Sequence, residues 1–88
     1  MTSDPTFRVG LLGHGTVGAA FVELLRERAD HVAAATGLRP ELIGVLTRSR
    51  GEFDDILASS DLIVEVIGGL EPARGYVLAA MAAGKHVV

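Results

Sequence analysis

Six residues near the start of the chain, Gly13-His14-Gly15-Thr16-Val17-Gly18, constrain everything around them. They spell G-x-G-x-x-G, and their position matters more than the letters. Before them, residues 7–12 (FRVGLL) form a short, mostly apolar run that ends at glycine, as a buried parallel strand does. After them the period changes. Val17, Phe21, Leu24, Leu25 and Val32 recur at helical spacing, while Glu23, Arg26, Glu27, Asp30 and His31 take the other face. Gly37 is placed to stop this helix, because glycine enters the left-handed conformation without a Cβ clash. A strand, a glycine loop and a long helix are therefore expected in that order.

The rest of the chain repeats the alternation. Residues 42–47 (LIGVLT) read as a second strand bounded by the polar turn Arg48-Ser49-Arg50-Gly51. Phe53, Ile56 and Leu57 mark one side of a short helix, with Asp54 and Asp55 on the other. Residues 61–67 (DLIVEVI) are strongly β-branched and stop at Gly68-Gly69, which indicates a third strand and its exit turn. Pro72 suits the first turn of a helix carrying Ala73, Val77, Ala80 and Met81 as its buried stripe, ended by Gly84. A fourth strand starts at Lys85 or His86. The order β-α-β-α-β-α-β predicts an α/β domain of the Rossmann type, an open parallel sheet with helices on both faces. The expected strand order is 3-2-1-4. Residues 1–6 read as a loose polar arm and residues 7–88 as the domain. The apolar pair that follows His86 would leave a buried strand unpaired, so the expectation is a domain cut short.

The chemistry of such a loop is backbone chemistry. Gly13 permits the tight turn, Gly15 lets the backbone approach a pyrophosphate, and Gly18 allows close helix–strand packing. The free amides of Thr16 and Val17, with the positive end of the helix dipole, attract the anion. The predicted ligand is a nicotinamide dinucleotide; the alternative is a glycine-rich structural turn. The end of the second strand bears on which dinucleotide. NAD-binding domains usually place an acid there for the ribose hydroxyl, whereas Thr47-Arg48-Ser49-Arg50 has none. Arg48 could grip a 2′-phosphate, assisted by Ser49 or Arg50, which favours NADP and keeps NAD as the alternative. Against this, both arginines could be a solvated turn paired with Glu52 and Asp54.

Other candidates carry less. His14 lies in the cofactor loop and reads as an exposed residue beside the ligand rather than a catalytic base. Gly68 and Gly69 fall where open α/β sheets bind ligands, and could equally be a turn requiring positive φ. Glu65 reads as a structural carboxylate, and Tyr76 and His86 as structural residues. No catalytic residue and no metal site is assigned. With no cysteine, disulfides and thiolate chemistry are excluded. A net charge of −3 without a Lys/Arg cluster argues against nucleic acid and anionic membranes, both of which need a basic patch. No run approaches the ~20 apolar residues of a membrane helix, and no signal segment precedes the domain. A reducing cytoplasm fits.

The stretches VGLLGHGTVG (residues 9–18) and DLIVEVIGGLEPARGYVLAAMAAGKHVV (residues 61–88) together resemble the NAD(P)-binding domain of homoserine dehydrogenases. The second is the more specific, with a strand ending E-x-I-G-G, then E-P-A-R, then a helix ending A-G-K-H-V-V. The resemblance implies interconversion of aspartate semialdehyde and homoserine in threonine, methionine and isoleucine synthesis, with the semialdehyde substrate and a homo-oligomer belonging to the intact enzyme. It places the pyrophosphate on Gly13–Gly18, the adenosine phosphate near Arg48, and the nicotinamide side along Gly68 and Gly69. Two lysines of that family, one in a T-A-N-K-like segment and one in a later substrate domain, have no counterpart in these 88 residues, so this polypeptide alone is expected to be inactive. The segment between strands two and three is shorter than the family pattern. Outside this family the same residues would suit another amino-acid or sugar dehydrogenase, or a nucleotide-sensing module without turnover.

Overall fold

A computed structural model describes residues 5–47, 49–67 and 72–88. Its elements run β1 (Thr6–Leu12), α1 (Thr16–Thr36), β2 (Arg39–Leu46), α2 (Phe53–Ser59), β3 (Leu62–Glu65), α3 (Ala73–Ala82) and β4 (His86–Val87). The four strands form one parallel sheet. α1 closes on Gly37, whose φ of +77° lets its amide reach back to the carbonyl of Ala33 at 2.9 Å. No helix among the described residues is long and apolar enough to cross a membrane.

Helices cover both faces, as expected. On one face Val22 of α1 packs with Val9, Leu11 and Val64; on the other, Ile56 of α2 and Ala80 of α3 pack with Leu12, Leu46 and Ile63. Leu11, Leu12 and Ile63 have no exposed surface, so the core centres on β1 and β3. Each such side chain contributes roughly 1.5–3 kcal/mol on burial.

The strand order is β2-β1-β3-β4, not 3-2-1-4. β3 lies on the side of β1 away from β2. Two features explain this. β3 is apolar toward both faces, with Ile63 and Val64 buried, and must sit inside the sheet, whereas β2 carries Pro40 and Glu41 and suits an edge. The connection from β2 is also built to cross over β1. Gly10 and Gly44 are register partners, and a Cβ on Gly44 would stand 2.8 Å from Cγ1 of Ile56, while one on Gly10 would stand 2.6 Å from Cγ2 of the same residue. The paired glycines form a seat into which Ile56 drops, so a seven-residue helix suffices for the crossing. Arg8 then braces β3 against β1. Its main-chain amide and its guanidinium all donate to the carboxylate of Asp61, at 2.9, 3.2 and 3.1 Å.

Element boundaries shift modestly. β2 begins before Pro40 instead of after it, and β3 is shorter than residues 61–67. The buried stripes of two helices differ more. Val17, Leu24 and Met81 are 66%, 55% and 62% exposed, while Gly18, Ala33, Ala73 and Ala80 are buried. Close packing of helix on sheet selects small side chains at the tightest contacts, with Val22 and Phe21 as the larger α1 residues beside them.

Candidate dinucleotide-binding site

The glycine loop joins the carboxyl end of β1 to the start of α1. Gly13 has φ +98°, a conformation that L side chains rarely adopt, and its amide donates to the carbonyl of Leu46 at 2.7 Å, tying the loop to the end of β2. Gly18 is buried for a different reason: a Cβ there would come within 2.7 Å of the Gly13 carbonyl oxygen and 3.3 Å of Val66 Cγ2. The first turn of α1 could not approach the strand ends otherwise.

Gly15 has neither reason. It caps α1 with φ −85°, accepts the first helical bond from Ala19 at 2.9 Å, and a Cβ built on it meets nothing within 4 Å. The chain itself would tolerate a side chain here. What glycine preserves at this position is access to the backbone from outside. Beside it, Thr16 and Val17 are exposed, and among the described residues their amides donate to no protein carbonyl, as the first amides of a helix must. No acidic residue stands in this first turn to compete for them. His14 is exposed between the glycines. The loop is a cradle open to solvent, lined by N–H groups without a partner among the described residues and by the positive end of a 21-residue helix.

The loop also meets β3. A Cβ on Gly13 would press on the main chain of Ile67, 3.1 Å from its amide nitrogen, and Glu65, half-buried at the end of β3, pairs in register with Leu12. α1 packs on one face of the sheet and α2 and α3 on the other, so the helices that follow β1 and β3 lie on opposite faces, the arrangement of a topological switch point. On the β2 side, Thr47 starts a tight turn in which its amide donates to the Arg50 carbonyl at 2.8 Å and its hydroxyl accepts from the Ser49 amide at 3.3 Å. Arg50 and Ser49 are exposed, and among the described residues Arg50 pairs with neither Glu52 nor Asp54. Arg48, Gly68 and Gly69 lie outside the described residues.

Elsewhere, no group of three or more His, Asp or Glu among the described residues is placed to hold a metal ion. An apolar hollow of about 170 Å³, lined by Phe7, Val32, Thr36, Leu38 and Pro40, lies at the opposite edge of the sheet from the glycine loop. Sequence reasoning missed two features. One is the Arg8–Asp61 brace, whose hydrogen bonds from the Arg8 side chain and amide hold the Asp61 carboxyl down at about 2. The other is a stacked pair of rings, Phe53 and Tyr76, with centroids 4.4 Å apart.

A parallel sheet with a strand–glycine loop–helix unit opening at its carboxyl edge defines a dinucleotide-binding domain of the Rossmann class. The model of the homoserine dehydrogenase NAD-binding domain matches residues 13–88, and the chain belongs to that family. Among its relatives are the homoserine dehydrogenases of Synechocystis, 32% identical over 97 residues and covering 94% of this chain, and of Corynebacterium glutamicum, 37% identical over 95 residues and covering 91%. The chain spans about a fifth of the length of these relatives, 22% and 21%. The aligned stretches exceed the 88 residues of this chain, so both relatives carry residues within the matched region that it lacks. Solved structures agree. The homoserine dehydrogenase of Thiobacillus denitrificans superposes with a TM-score of 0.85 at 34% identity, covering 93% of this chain and 22% of that one, and the S. aureus enzyme with 0.86 at 27%, covering 97% and 25%.

Proposed function

We propose that this chain anchors NADP, with NAD as the weaker ligand, for a homoserine dehydrogenase that interconverts aspartate semialdehyde and homoserine. The observation that carries the reading is Gly15, a glycine that neither its backbone angles nor its packing requires, set at the mouth of the cradle. A Cβ would fill the space through which a pyrophosphate reaches the amides of Thr16 and Val17. The nicotinamide, when bound, supplies or accepts the hydride.

The chain's own residues then bind and orient. Gly13 and Gly18 hold the loop against the ends of β2 and β3, and His14 flanks the anion without a catalytic role. Arg48 meets the 2′-phosphate of the adenosine ribose, with Arg50 beside it, and Gly68 and Gly69 line the nicotinamide side. Proton transfer and substrate recognition fall to groups outside these 88 residues, so the polypeptide alone binds cofactor and oxidises no homoserine. The protein works in the cytoplasm as a homo-oligomer, without nucleic acid or membrane as partner.

Titration calorimetry of the 88-residue chain tests this reading. Heat of binding is expected with NADPH and, more weakly, with NADH, and none with either after Gly15→Val. Retained affinity in that variant would remove the loop from the site.

A further inference from the structure

The chain has three histidines, and they stand in different places. His31 lies toward the far end of α1 and His86 opens β4, so both belong to the amino edge of the parallel sheet, away from the glycine loop. His14 alone stands at the carboxyl edge, inside the loop. Gly13 and Gly15 flank it, so its ring is the only side chain between Leu12 and Thr16. It is exposed, and among the described residues it makes no side-chain hydrogen bond and no ion pair.

The charged groups around this edge come from every element that reaches it. The first turn of α1 carries no acid. On β3 the carboxylate is Glu65, half-buried and in register with Leu12. Arg50 and Glu52 sit on the turn after β2, Asp54 and Asp55 in the first turn of α2, and Arg74 in the first turn of α3, all exposed. Carboxylates and guanidinium groups ordinarily keep their charge between about pH 5.5 and 8, whereas an imidazole changes its own there. Among the described residues of this edge, the side chain of that kind is His14.

The model of an NAD-binding domain covers the loop, within residues 13–88, so a ligand for it is indicated independently of the helix that follows. We infer that His14 is a proton-switched contact for the pyrophosphate of the dinucleotide, an inference that rests on the cofactor role proposed above. The amides of Thr16 and Val17 meet the anion at any pH. The imidazole adds to them only when charged, and the arriving anion in turn draws a proton onto it. Cofactor affinity therefore rises as the pH falls through this interval, which ties occupancy of the domain to the acidity around it.

The probe is NAD, whose pyrophosphate keeps its charge across the interval, while a phosphate monoester such as the 2′-phosphate of NADP takes up a proton near about pH 6. Titration calorimetry of the 88-residue chain should show binding about three- to fivefold tighter at about pH 5.5 than at about pH 8, the scale of one exposed ionic contact. At about pH 6.5, buffers of different ionisation heat should reveal uptake of about a third of a proton per NAD bound, as a fourfold affinity ratio requires at its midpoint. His14→Gln should bind equally at both pH values, with the parent's weaker affinity and no proton uptake. His14→Lys should be flat as well, with the parent's stronger affinity. His31 and His86 remain in both variants, so a slope that survives His14→Gln refutes the inference, as does a parent without a slope. The Asp61 carboxyl, held at about 2, stays ionised throughout, so loss of the Arg8–Asp61 brace does not enter. With NADP the parent should keep a steeper slope than His14→Gln, and identical slopes refute the switch while the cofactor role stands. Absence of binding heat with both dinucleotides removes both.

Discussion

Two alanine substitutions three residues apart separate ligand access from packing. At Gly15 the backbone angle is ordinary and a new Cβ meets nothing within 4 Å. Alanine caps a helix less well than glycine by roughly 0.5–1 kcal/mol, and it gains about 0.4–1 kcal/mol by restricting the unfolded chain. The net effect on stability is near zero, and the melting temperature should move by less than about 4 °C. At Gly18 the same methyl would lie 2.7 Å from the carbonyl oxygen of Gly13. The obstacle is backbone and cannot rotate away, so the cost belongs at the upper end of overpacking, about 3 kcal/mol. A helix-propensity gain of about 1 kcal/mol leaves about 2 kcal/mol of destabilisation. For a domain of this size that lowers the melting temperature by about 8–16 °C. Circular dichroism melts measure one axis and calorimetric titration with NADP the other. Gly15→Ala should melt like the parent and bind at least about tenfold more weakly, a loss of about 1.4 kcal/mol or more. Undiminished affinity in Gly15→Ala, or an unchanged melt in Gly18→Ala, would show that the reasons assigned to these two glycines are wrong.

Gly10→Ala should destabilise by about 1–3 kcal/mol, because its methyl would enter the seat of Ile56 and also press on the Ser60 hydroxyl. Adding Ile56→Ala to it should cost less than the two single changes summed, and strict additivity in denaturant melts would mean that the two side chains do not compete for one space. The Arg8–Asp61 brace makes a pH prediction. The Asp61 carboxyl is held at about 2 in the folded chain, against about 4 in an unfolded one, so its stabilisation is complete above about pH 4 and is lost as the pH falls toward about 2. Melting temperatures should therefore drop more steeply between pH 5 and pH 2 in the parent than in Asp61→Asn, and parallel curves would contradict the brace. Arg48→Ala should weaken NADPH binding more than NADH binding, and equal losses in paired titrations would reject its phosphate contact.

The parts of this fold that were legible in the sequence are those decided locally. Residues 7–12, the glycine loop and the α1 stop at Gly37 each follow from a period or a φ preference within a few positions, and each is found where expected. Strand order is not local. It turns on Gly10 and Gly44, two glycines 34 positions apart that look like minor flaws in their strands until they stand side by side under Ile56. The Arg8–Asp61 brace and the Phe53–Tyr76 stack are hidden for the same reason, since the partners are distant in the chain and neither contact leaves a mark in either partner's own neighbourhood. The stripes of α1 and α3 are legible only in part: Phe21, Ala73 and Ala80 pack on the core as the period predicts, but a period locates a face by its large apolar residues and so passes over Gly18, Val22 and Ala33, which are buried, in favour of Val17, Leu24 and Met81, which are exposed.

The glycine loop shows why a motif can be recognised without being understood. Its three glycines are identical letters under three unrelated constraints. Gly13 is demanded by a backbone angle of +98°, and replacing it strains the turn whatever is bound. Gly18 is demanded by the carbonyl of Gly13 and by Val66, so it answers to packing alone. Gly15 is demanded by neither, and a chain selected only to fold could carry alanine there. A purely structural turn accounts for two of the three positions. Under the function proposed above, the third answers to an anion that the amides of Thr16 and Val17 can meet, and the affinity of Gly15→Ala is the measurement that decides it.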